Sequence, residues 1–217
     1  MLQPLITLIK KDLLLEWRQK HTLFGVVLYV GCTVLVLYMM TGAPESKIWN
    51  ALFWVAMLFV TVNTVAKSFL QEGDSRLRYY YTLVPPVVYV LSKMAYSLVL
   101  MVFMTLLSLL LFTILLGNPL IHFGTFLLVA LLGAAGMSLL FTFLSAIAAQ
   151  ARQNAALMAI LGFPIAIPLL LILSHLAVGA VSPVVQEGWW SMAWLMAGMD
   201  VLIIALAAIL FPFLWKE

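Results

Sequence analysis

Six apolar stretches, each long enough to cross a bilayer as a helix, dominate this chain and leave it few folds. They run over residues 22–40, 48–66, 94–116, 123–149, 155–181 and 191–214. A hydrocarbon core of about 30 Å needs roughly 20 helical residues at about 1.5 Å each. With 65% hydrophobic and 9% charged residues, a soluble fold would expose enough apolar surface to aggregate. The sequence therefore reads as all-α: a single polytopic membrane domain over 1–217 with six transmembrane helices. Function has to be sought in the topology and in the few polar residues.

Charge sets the expected orientation. Lys10, Lys11, Arg18 and Lys20 precede the first span, and Lys67, Arg76, Arg78 and Lys93 lie between or beside the second and third. Arg152 follows the fourth span and Lys216 the sixth, while Lys47 stands on the other side beside Glu45. The positive-inside rule then puts both termini in the cytoplasm, as an even number of spans requires. The net charge of +3 reports this bias and contact with anionic lipid, not nucleic acid. No A-x-A site follows the basic start, so the first span is expected to be retained. Cys32 has no second cysteine to pair with, which excludes an internal disulfide, a multi-cysteine metal site and C-x-x-C-H haem attachment.

Residues 1–21 place Leu2, Leu5, Ile6, Ile9, Leu13 and Trp17 on one helical stripe, with Gln3, Lys10, Lys11, Arg18 and Lys20 largely elsewhere. This predicts an interfacial helix, either an elbow into the first span or a plain topogenic extension. Loops on the outer side are short, with Gly42-Ala43-Pro44 and Gly117-Asn118-Pro119 as turn chemistry. The longest polar insertion, 67–93, is expected on the cytoplasmic side, where a soluble partner would dock. Glu72 with Arg76, and Asp74 with Arg78, are spaced for ion pairs along a short helix that also contains Gly73, each worth about 0.2–0.5 kcal/mol. Tyr79-Tyr80-Tyr81 then read as interfacial anchors, and Pro85-Pro86 as a stop before the third span. A solvated charged loop remains the plainer alternative.

Within the spans, Ala130, Ala134 and Ser138, beside Gly133 and Gly136, predict close helix packing. Pro164 and Pro168 predict a kink or partial unwinding of the fifth span, as a hinge or as a static bend. Asp200, an acid deep in the sixth span, should face the interior, pair or be protonated. His175 and His122 lie toward the outer ends of the fifth and fourth spans. Trp189, Trp190 and Trp194 suit an aromatic belt, and a flat surface against a porphyrin is the other use for them. There is no phosphate-binding G-x-x-x-x-G-K-[ST] loop, no H-E-x-x-H and no G-x-S-x-G. No catalytic residue or metal ligand set is expected, and any ATP would be bound by another chain.

The chain resembles the membrane subunits of ABC-2-type exporters, and most closely the CcmB family, haem exporter protein B of cytochrome c maturation. The residues that carry this are Lys10-Lys11-Asp12-Leu13 and Glu16-Trp17-Arg18 in the amphipathic start, Leu70-Gln71-Glu72-Gly73, Pro85-Pro86 with Lys93 following, and Phe163-Pro164-Ile165-Ala166-Ile167-Pro168-Leu169-Leu170. The resemblance implies a multi-pass subunit of the bacterial inner membrane that is not itself an enzyme. It implies a CcmA-like ABC ATPase docking on the cytoplasmic face, with Glu72, Gly73, Asp74, Arg76 and Arg78 in the coupling helix. CcmC-like and CcmD-like membrane proteins, a CcmE-like haem chaperone and two copies of the chain complete the implied assembly, with haem as the handled ligand. Two other readings stay open: an ABC-2 permease for a lipid, polysaccharide or drug, and an ATP-independent protein relaying protons through Asp200 and His175.

Overall fold

The computed structural model describes residues 2–18, 20–70, 84–150, 155–182 and 188–214. Those residues fold as helices without a strand: α1 (Leu2–Arg18), α2 (Lys20–Thr41), α3 (Ser46–Leu70), α4 (Pro86–Leu115), α5 (Phe123–Gln150), α6 (Ala155–Val181) and α7 (Trp189–Leu214). Six of them, α2 to α7, are long and apolar enough to span a membrane.

One boundary differs from expectation in a way that matters. α4 begins at Pro86 and not at Met94. Pro86 occupies the first helical turn, where no N–H is needed and a fixed φ is an advantage, and Pro85 caps it in an extended conformation at φ −58 and ψ 139. Lys93, assigned above to a polar insertion, is thereby wound into the helix and buried.

α5 is the central helix, in contact with α3, α4, α6 and α7. Its small residues make this possible. Ala130, Ala134 and Ser138 are fully buried. At Gly133 a methyl group would lie 2.5 Å from the Trp54 ring, and at Gly136 it would lie 2.8 Å from an Asp200 carboxylate oxygen. Membrane helices lack a hydrophobic drive toward each other, so such notches supply the contact that holds them.

Where α3 begins, the bundle is closed by aromatic rings packed mostly edge to face. Trp49 and Phe53 of α3 meet Phe112 of α4 and Phe126 of α5 at centroid distances of 5.2 to 5.7 Å. All four have no exposed surface. Hydrogen bonds to backbone carbonyls reinforce this far end: the Trp49 indole Nε1 donates to the Gly117 carbonyl at 3.2 Å, and the backbone N–H groups of Ile121 and His122 donate to the Ala180 carbonyl at 3.1 and 2.9 Å. Gly117 ends the α4 turn in the left-handed region, at φ 85, which a side chain would resist.

At the prolines, where a kink or partial unwinding is expected, the helix is not interrupted. α6 stays helical through Pro164 and Pro168. Both prolines are exposed, so the packed face formed by Ala166, Leu169 and Leu173 sits on the opposite side of the helix.

Candidate functional site

The end of the bundle opposite the aromatic rings is held by charge. Among the described side chains of α1, Leu8 and Asp12 are buried, while Ile6, on the stripe expected to face the membrane, is exposed. Asp12 has a partner. Its Oδ2 lies 3.0 Å from the Lys93 ammonium of α4, and its Oδ1 lies 3.1 Å from Lys11. One turn further along, the Tyr96 hydroxyl donates to Glu16 Oε2 at 2.8 Å. Acids four apart on α1 thus meet a lysine and a tyrosine three apart on α4, so each pair occupies one helical face.

The clasp reaches across the bundle. The Lys93 ammonium stands 5.8 Å from the centre of the Tyr89 ring, and that ring stacks on Phe211 of α7 at 6.1 Å and 21°. Three helices, α1, α4 and α7, are therefore tied at one level. Taking two charges out of water costs several kcal/mol per ion, which mutual attraction repays only in good geometry. Such a pair adds little net stability but fixes register: sliding α1 along α4 would separate the buried Lys93 ammonium from the Asp12 carboxylate. Among the described residues no three His, Cys, Asp or Glu come together.

The residues singled out in the sequence fall elsewhere. Glu72, Gly73, Asp74, Arg76 and Arg78 lie outside the described residues. Asp200 is 7% exposed at the junction of α5, α6 and α7, beside Gly136, Met196 and Leu169. Its Oδ1 has no hydrogen-bond partner among the described residues. His175 is exposed on α6, and Leu169 precedes it by six residues, about 9 Å along a helix. Among the described residues no hydrogen bond or ion pair joins Asp200 to His175. The tryptophans divide: Trp190 and Trp194 are exposed, whereas Trp189 is buried against Gly179 and donates to the Leu176 carbonyl at 2.9 Å.

The clasp was missed in the sequence because its halves are far apart along the chain. The available signal was a pair of acids, Asp12 and Glu16, inside an otherwise basic amphipathic helix. Acids on such a surface need a local cation, and Lys93 stands just past the re-entry prolines.

Among curated proteins, none matches the chain. The family model described as CcmB protein matches residues 3–213, from α1 into the last turn of α7. Spanning essentially the whole bundle, clasp included, that match places the chain in the CcmB family.

Proposed function

We propose that ATP hydrolysis on a separate, CcmA-like ATPase is delivered to this chain through the segment between α3 and α4, and drives haem export or its release to a CcmE-like chaperone. The coarser part of this follows from membership of the family: the chain is a membrane subunit of the ABC-type haem exporter of cytochrome c maturation. The finer part is supported by the contrast between the two ends of the bundle. Aromatic rings and hydrogen bonds to backbone carbonyls lock one end, and ion pairs clasp the other.

α4 belongs to both. Phe112 sits in the lock and Lys93 in the clasp. A force applied at the start of α4 would tilt it about the locked end and carry α1 and α7 with it, a rigid-body motion of packed helices. Nucleotide on the partner supplies the differential binding that such a change of state requires. In this reading both termini and the clasp face the cytoplasm of a bacterial inner membrane. CcmC-like and CcmD-like proteins, a second copy of the chain and anionic lipid surround the bundle.

Replacing Glu72 and Asp74 by lysine tests the docking segment. The expected result is loss of the co-purifying ATPase with this chain still in the membrane; undiminished co-purification overturns the coupling claim. Haem trapped on the periplasmic chaperone in a deletion strain tests the substrate. Unaltered loading and release without this chain would remove the haem reading.

A further inference from the structure

The buried residues of α7 recur every three or four positions. Trp189, Ala193, Met196, Ile203, Ala207 and Phe211 are apolar, and Asp200 fills the one place between Met196 and Ile203. That spacing draws a single stripe along the helix, the face through which it packs. Asp200 stands eleven residues from Trp189 and eleven from Phe211, about 16 Å along the axis from each.

One polar residue in such a seam fixes register when a polar group meets it across the interface. Asp200 is met by none. Its Oδ1 converges on Gly136 of α5 together with the ends of Met196 and Leu169, and no described group donates to it. An oxygen shut away from water without a donor raises the free energy of the state that buries it. Leucine has the same branched outline and would carry no such penalty, so the packing does not call for an acid. The acid makes the seam weak at its middle.

The two ends of α7 are held in different ways. The Trp189 ring fits against Gly179, and its indole donates to the Leu176 carbonyl, which pins that end to α6. Phe211 stacks on Tyr89, which couples the other end to α4. A helix pinned at one end and drawn at the other peels from its neighbours along the length between.

We propose that Asp200 is a positioning residue for transport: it keeps the seam of α7 against α5 and α6 weak, so that α7, drawn by α4, swings about Trp189 and lets water reach the carboxyl. Water then supplies the hydrogen bonds that Gly136, Met196 and Leu169 cannot. No proton is handed on, and an amide at this position serves as well as an acid. This rests on the coupling reading in taking α4 as the helix that moves.

Asp200→Leu and Asp200→Asn in membranes that carry the whole assembly test the seam. The leucine variant should unfold at a higher temperature, yet lower the haem loaded on the chaperone about tenfold, the effect of favouring the packed state by about 1.4 kcal/mol. The asparagine variant should match the wild type in both. A lower midpoint or undiminished loading with leucine, or equal losses of loading with leucine and asparagine, would overturn the proposal. Asp200→Cys in a Cys32→Ala background, treated with a charged thiol reagent, reports water at the seam directly. Labelling should be about tenfold faster during ATP turnover than without nucleotide, and no labelling in either condition also overturns the proposal. Equal labelling in both conditions, with the leucine effects as expected, leaves the weak seam standing and removes the coupling reading.

Discussion

The Lys93 ammonium lies 3.0 Å from an Asp12 carboxylate oxygen, and both side chains are buried where α1 meets α4. Removing Asp12 takes away the carboxylate that pairs with the buried Lys93, and removing Lys93 takes away the buried cation that pairs with Asp12. Asp12→Ala or Lys93→Ala alone should therefore destabilise the protein by about 3–5 kcal/mol. Replacing both by apolar residues of similar volume should cost much less, since the desolvation penalty disappears together with the attraction. Thermal unfolding of the detergent-purified chain measures all three variants; a double variant as unstable as the sum of the singles would show that the two side chains are not coupled.

Tyr96 and Glu16 form the second rung, with the phenol donating to a carboxylate at 2.8 Å. Tyr96→Phe keeps the ring and removes only the donor, so its cost should be about 1.5–3 kcal/mol, the range for a hydrogen bond to a charged group. Glu16→Gln retains an acceptor and should cost less than Tyr96→Phe. Equal losses in the same unfolding assay would mean that the hydroxyl contributes through something other than this bond.

The helices were legible in the sequence because length and composition alone decide them: six uninterrupted apolar runs can do little else in a bilayer. The central place of α5 was also written locally, in Ala130, Ala134 and Ser138. What stayed hidden was pairing across the fold. The apolar stripe of α1 gave no sign that Asp12, beside Lys11, is buried against α4. The start of α4 was misplaced for a related reason: Lys93 looks like a boundary charge, and its pairing with Asp12 cannot be read along the chain. Asp200 shows the limit from the other side, since its depth could be read but not its neighbours at Gly136 and Leu169.

Gly133 and Gly136 both receive a neighbour into their notches, but the neighbours differ in what they can yield. A methyl at Gly133 would lie 2.5 and 2.6 Å from two atoms of the Trp54 ring, a rigid group buried among Phe53 and Phe126. At Gly136 it would meet the end of Met196, which can swing aside, and an Asp200 oxygen. Overpacking costs about 1–3 kcal/mol, against roughly 0.5–1 kcal/mol gained from a better helix former. Gly133→Ala should thus be clearly destabilising and Gly136→Ala close to neutral. Unfolding midpoints in the reverse order would contradict the notch geometry.

Asp200 separates the transporter reading from the proton-relay alternative. Its carboxyl is buried at the junction of α5, α6 and α7 without a hydrogen-bond partner for Oδ1 among the described residues, so no described ion pair is broken when it is neutralised. Asp200→Asn preserves volume and removes the group that would exchange a proton. If ATP on a partner is the energy source, this variant should assemble, keep its stability within about 1 kcal/mol and still support haem transfer, because nothing in the clasp or the lock depends on that charge. A relay requires the opposite: normal assembly with transfer abolished. Measuring chaperone-bound haem and assembled complex in the same membranes distinguishes the two, and loss of transfer with assembly intact would move the energy source from the ATPase to the proton.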